Sequence, residues 1–224
     1  MRAFWFDPYL WVHAAGIAAL PFWFLVCLFG FAVGDPILPP WLELGLVAIV
    51  GIAPIAWMQS QRPFYIFSLL AVALRAERLT EDQRRTLTIF RVRRNPIWIG
   101  LAAFVLVLIL NQIYTIAPIA ADITPFPAGS HGFGLIVAAI GFLGANLFTE
   151  VPLSVLQVML TSDSEFRATA PLSLNQILKD FLIIGVPVNQ LLPPVVADSS
   201  SAPKSATSPV DASTNSSPEG EVPS

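Results

Sequence analysis

Twenty-five consecutive residues, Tyr9 to Val33, carry no charge. As a helix rising 1.5 Å per residue they reach about 37 Å, enough to cross a hydrocarbon core of about 30 Å with some tilt. Three more apolar runs follow, at residues 41–58, 97–120 and 133–150. Only 12% of the 224 residues are charged and 55% are hydrophobic, against about 25% charged in soluble domains. A core of this size cannot hide so much apolar surface from water, so lipid is the expected solvent. The predicted fold class is all-α: a polytopic membrane protein with four transmembrane helices, interfacial amphipathic helices and a disordered C-terminal tail.

The first run is too long for the apolar core of a signal peptide, and Asp7 spoils the basic segment such a peptide needs, so retention as a span is expected. Asp7-Pro8 fits an N-cap followed by the first helical position. Pro21 and Pro54 lie inside the first two spans, and a kink is expected at Pro21. Glu43 lies about one turn into the second span, where a solvated carboxylate at the interface is expected. Cys27, lone and mid-span, reads as a small core residue.

Between the second and third spans lies a block of eight arginines, Arg62, Arg75, Arg78, Arg84, Arg85, Arg91, Arg93 and Arg94. With four spans, residues 1–8, 59–96 and 161–224 share one side and hold all twelve basic residues, while the two opposite loops hold none. The positive-inside rule then places both termini in the cytoplasm. Within the block, residues 63–74 are apolar but number only twelve; an interfacial or re-entrant segment, read as helical, is expected. Thr80-Glu81-Asp82-Gln83 matches a capping box and should open a second helix there. Arg75, Arg78, Arg84, Arg85, Arg91, Arg93 and Arg94 are candidates for contact with anionic lipid headgroups or a membrane-protein partner. The use of arginine alone in the block favours bidentate contacts to phosphate, sulfonate or carboxylate. No nucleic-acid-binding motif accompanies the charge.

Three domains follow: the transmembrane domain at 1–160, including the arginine-rich subdomain at 59–96; an amphipathic cytoplasmic segment at 161–196; and a Ser/Pro-rich tail at 197–224. Ser173 and Gln176 form a second capping-box pattern, with Leu174, Ile177, Leu178, Phe181 and Ile184 at helical spacing behind it. That face suits the membrane surface or a partner. The tail is too poor in large apolar residues to fold.

Inside the spans, Asn111, Asn146 and Glu150 are the polar candidates: as interhelical glue for the asparagines, or as the lining of a conducting path. Gly134, Ala138, Gly141 and Ala145 make a small-residue stripe on the fourth span, open to close approach by a helix of this chain or of another. His13 reads as a hydrogen-bonding residue in preference to a pigment or haem ligand. His131, in a Gly-flanked loop, has no neighbouring ligand that would make a metal site. No catalytic motif, metal or cofactor is expected.

The stretches FWFDPYLWVHAAGIAALPFW, GDPILPPWLELGLVAIVGIAPIAWMQSQRPFYIFSLLAVAL and RLTEDQRR resemble a cyanobacterial family of low-complexity tail membrane proteins, over residues 1–195. The resemblance implies a cyanobacterial plasma or thylakoid membrane and carries no activity or site residues. The expected function is a non-enzymatic interaction or assembly factor of a membrane complex, possible photosynthetic complexes included. The alternatives are a transporter or channel subunit with Asn111, Asn146 and Glu150 lining its path, and a lipid-modifying enzyme using His13 or Glu150.

Overall fold

The computed structural model describes residues 3–69, 71–93, 95–126 and 130–192. The tail, Arg94 and Leu70 lie outside them. Four helical stretches are long and apolar enough to cross a membrane: Pro8–Phe31, Pro40–Gln61, Pro96–Ala120 and His131–Met159. The protein is an integral membrane protein, and the expected four-span helical architecture is its fold.

The first span is α1 (Pro8–Ala15), a 3₁₀ segment (Gly16–Ala19) and α2 (Leu20–Phe31). The tightened turn sits immediately ahead of Pro21. The proline ring supplies no N–H, and the neighbouring Leu20 N–H bonds the Ile17 carbonyl in the shorter 3₁₀ register. The other spans are α3 (Pro40–Gln61), α5 (Pro96–Ile116, continued by a 3₁₀ turn at Ala117–Ala120) and α6 (His131–Met159).

The fourth span is the hub. Gly134, Ala138, Gly141 and Ala145 are all buried, and the first three face α2 of the same chain. A Cβ on Gly30 would collide with the backbone of Ala138 and Gly134, and one on Gly141 with the backbone of Cys27. The helices therefore meet backbone to backbone, as small residues allow. Phe142 fills the other side of the hub, in a cluster with Cys27, Val47, Leu106 and Leu110.

At the arginine-bearing end the chain builds a compact subdomain. It contains α4 (Glu81–Val92), α7 (Asp163–Ala168), α8 (Leu174–Asp180) and a small sheet of β1 (Ser68–Leu69), β2 (Val72–Leu74) and β3 (Val186–Val188). β1 pairs antiparallel with β2, Ser68 opposite Ala73, and β2 pairs parallel with β3, Val72 opposite Val186. The described residues of 63–74 thus form an irregular stretch and two short strands, not an interfacial helix. Tyr65, Ile66 and Phe67 are completely buried in this subdomain, so the apolar segment is a protein core, not a lipid-facing surface.

The core also takes Ile177 from α8 and Phe181 from just beyond it, Leu87 and Phe90 from α4, and Val155 and Val158 from the end of α6. The apolar face expected to lie on the membrane or a partner therefore contributes Ile177 and Phe181 to the chain's own core. Segments 59–96 and 161–192, separate in the sequence-based division, share that core. Gly185, at φ +118°, has no room for a Cβ beside the backbone of Ala71.

Gly30→Ala or Gly134→Ala should lower the thermal midpoint in detergent, with an overpacking cost of about 1–3 kcal/mol. Gly45→Ala, which meets open space, should leave it unchanged or slightly raised. Equal losses at all three positions would refute backbone-to-backbone packing of α2 on α6.

Candidate functional site

At the end of the spans away from the arginines, Pro39-Pro40 opens α3 and sets Glu43 in its first turn. The Glu43 carboxylate is fully buried. Its Oε1 accepts from the backbone N–H groups of Ile37 at 3.1 Å and Leu38 at 3.0 Å. Its Oε2 accepts from the Tyr114 hydroxyl at 3.0 Å and faces His131 Nε2 at 3.0 Å. His131, the first residue of α6, places Nδ1 2.8 Å from the Val33 carbonyl. That carbonyl can only accept, so Nδ1 bears a proton. One further proton lies between Nε2 and Oε2, and the pair is neutral overall whichever atom holds it.

One carboxylate thus ties together the ends of all four spans: Val33 after α2, Glu43 in α3, Tyr114 in α5 and His131 in α6. Glu43 does not reach solvent at the interface, as its sequence depth implies. The 34–40 loop and the neighbouring helix ends close over it. His131 is a helix-end residue fastened to the protein on both ring nitrogens. Among the described residues there is no cluster of three His, Cys, Asp or Glu side chains that could hold a metal.

Along the seam between α3 and α6, both helices run toward the arginine end. Glu43, Val47, Gly51, Ile55 and Gln59 are buried at every fourth position of α3, so they form one face. Asn146 Nδ2 donates to the Gly51 carbonyl at 3.0 Å, which fixes the register. Asn146 bonds the backbone of another span, the interhelical role of a buried amide. One turn further along α6, Glu150 turns to the same side and is 2% exposed. Gln59, two turns beyond Gly51, is fully buried. Among the described residues, neither polar atom of Gln59 has a partner, nor does Oε1 of Glu150. Asn111 is exposed on α5 and does not join Asn146 and Glu150 at the seam.

At the arginine end, three of the seven candidate cations are spent in ion pairs inside the fold. Arg85 pairs with Glu81 and Asp82, Arg91 with Asp180 at 2.6 Å, and Arg93 with Glu165. The last two bonds clamp α8 and α7 onto α4. The Thr88 hydroxyl donates to the Ala170 carbonyl at 2.8 Å and closes the same joint. Arg84 is half-buried, its backbone carbonyl accepting from Leu172 N–H. Arg94 lies outside the described residues. Arg75 and Arg78 are exposed and form no ion pair with a described residue. Both line an open groove of about 530 Å³, with Glu77, Leu178, Ile183 and Asn189.

The capping residues fasten this subdomain to the first span. Thr80 and Gln83 form the full capping box, and Gln83 Nε2 also donates to Asp7 Oδ2 at 3.0 Å. Asp7 in turn caps α1 by accepting from Tyr9 N–H at 3.0 Å. Burial pushes the Asp7 carboxyl above its usual range, against the pull of those hydrogen bonds. Burial likewise pushes up the phenol of Tyr65, whose hydroxyl donates to the Leu74 carbonyl. His13 is half-buried, its Nδ1 2.8 Å from the Tyr9 carbonyl and its ring 5.7 Å from that of Phe64.

Sequence reasoning missed the Glu43–His131 pair and Gln59. The available signal was positional: an acid and a histidine each begin an apolar helix on the same side of the membrane, which brings them to one level.

Removing His131 leaves a buried carboxylate without its main partner, so His131→Ala should cost about 3–5 kcal/mol. Glu43→Gln/His131→Ala together should cost less than the sum of the two single changes in thermal unfolding. Strict additivity would refute the coupling. For Asp7 the folded state holds the proton more tightly than the unfolded chain. Its contribution to stability is therefore largest at low pH and falls as pH rises past the ordinary carboxylate range. The midpoint of wild type relative to Asp7→Asn should decline between about pH 4 and 7; a rise over that interval would contradict it.

No curated protein and no solved structure matches this chain. The model of the low-complexity tail membrane protein-like family matches residues 6–193, and the chain belongs to that family.

Proposed function

We propose that the chain is a non-enzymatic interaction or assembly factor of a membrane complex, working through its arginine-bearing end. The observation that supports this reading is the division of polar groups between the two ends. Away from the arginines, the buried titratable groups are consumed in the four-span tie at Glu43. At the arginine end a packed subdomain exposes Arg75 and Arg78, with Leu178 in the same groove, and also exposes Ile184 and Val186. Arginine with exposed apolar residues is the composition of an interaction surface. The positive-inside rule puts that end and both termini in the cytoplasm. The family resemblance favours a cyanobacterial plasma or thylakoid membrane, with a photosynthetic complex among the candidates for the partner.

The test is gentle detergent purification of a tagged full-length chain, with co-purifying proteins and pigments identified by mass and absorbance. Specific membrane proteins should accompany the wild type, and Arg75→Gln/Arg78→Gln should release most of them. A bare monomer from both preparations would overturn the reading. Vesicles containing the chain should show no flux of protons or monovalent cations above empty vesicles. A flux that Glu150→Gln abolishes would replace the assembly reading with a transporter.

A further inference from the structure

Arg75 and Arg78 leave the fold from a single turn. Arg75 precedes the 3₁₀ turn Ala76–Arg78, and the Arg78 N–H closes that turn on the Arg75 carbonyl at 2.9 Å. Residues three apart in such a turn lie on one side, so the two guanidinium groups start from the same face. The turn is anchored from behind, because Arg75 N–H donates to the Val188 carbonyl of β3 at 3.0 Å. Leu178, on α8, and Ile183 line the same groove. The result is an amphipathic slot whose lining combines two cations with aliphatic carbon.

Its place relative to the bilayer follows from the chain. Asn189 lines the slot. Leu191 and Leu192 pack on the core that includes Tyr9, in the first turn of the first span. Three residues of extended chain cover about 10 Å, so the slot opens near the headgroup layer.

We propose that this groove binds the headgroup of an anionic phospholipid from the surrounding bilayer, phosphate on Arg75 and Arg78, with glycerol and first acyl carbons on Leu178 and Ile183. The planar fork of arginine suits a phosphate diester. Glu77 and Asn189 also line the groove and offer oxygen acceptors. A headgroup bearing free hydroxyls can donate to them, whereas a second phosphate charge would be repelled by Glu77. Phosphatidylglycerol therefore fits better than phosphatidic acid, and phosphatidylcholine, with no net charge and no hydroxyl, fits worst. This deepens the reading of the arginine end as the interaction face. Its test uses the isolated chain, so its failure would be seen apart from any loss of protein partners.

The experiment is native mass spectrometry of the purified full-length chain with phosphatidylglycerol, phosphatidic acid or phosphatidylcholine added in detergent. Wild type should retain one phosphatidylglycerol, about tenfold more than phosphatidylcholine, with phosphatidic acid between. Arg75→Gln/Arg78→Gln should lose that preference. Leu178→Asp, at an exposed position where the fold tolerates it, should lose it too, by setting a carboxylate opposite the phosphate. Arg62→Gln/Arg167→Gln removes two exposed arginines outside the groove and should keep it. An equal loss in that control would mean diffuse charge attraction and overturn the proposal. So would full displacement of the lipid by glycerol phosphate, which would mark a soluble ligand. Several-fold stronger retention in Asp198→Asn/Asp211→Asn/Glu219→Gln/Glu221→Gln would assign the groove to the chain's acidic tail instead.

Discussion

The Glu43 carboxylate holds the far end of the protein together. It takes hydrogen bonds from two backbone N–H groups and the Tyr114 hydroxyl, and pairs with His131. Four partners are the full complement for two carboxylate oxygens. They lie on three segments, the 34–40 loop, α5 and α6, so the carboxylate fixes relative positions that apolar packing alone leaves free to slide. Helices in lipid gain little from hydrophobic burial against each other. A neutral, fully bonded pair at the helix ends supplies register without leaving an uncompensated charge in the spans.

The middle of the bundle is governed by a different constraint. α2 and α6 approach until no Cβ fits at Gly30, Gly134 or Gly141. Dispersion contacts then run along both backbones, and the small-residue stripe is used up inside the chain. Because α6 is committed to α2 on one side and to α3 on the other, α5 packs against the rest chiefly through Leu106, Leu110 and Ile113. Much of its remaining surface, including Phe104 and Leu108, is exposed and faces lipid. Asn111 sits on that exposed side for the same geometric reason.

Much of this was legible in the sequence where the signal was local. The Thr80 and Ser173 capping boxes form with both reciprocal bonds, and Asp7 caps the helix that Pro8 begins. These depend on residues at most three apart. The spans were legible because twenty or so apolar residues have few other uses. Residues 63–74 were not, since a short apolar run does not declare its period. Its strands are only two and three residues long, and β3, which completes the sheet, comes more than a hundred residues later. Glu43 was misjudged because depth along a helix says nothing of what covers it, and His131 is 88 residues away. The arginines were legible as a block but not as individuals. Only the positions of Glu165 and Asp180 decide that Arg93 and Arg91 act within the fold, leaving Arg75 and Arg78 at the groove.

The two ends of the molecule therefore carry different kinds of order. At the Glu43 end every buried polar atom of the carboxylate and imidazole has a partner, and a change of arrangement would break several bonds at once. Toward the arginine end, Gln59 and Glu150 are buried on facing helices with polar atoms unpaired among the described residues. An unpaired buried amide gains by any rearrangement, or any water, that satisfies it. Pro54 and Pro152 lie in the same two helices, so the backbone there lacks two of its ladder bonds as well. Unpaired buried polar atoms are thus concentrated next to the arginine-bearing subdomain, and fully bonded ones at the opposite end. That distribution fits the proposed reading, in which the spans serve as a mount for an interaction face at the arginine end.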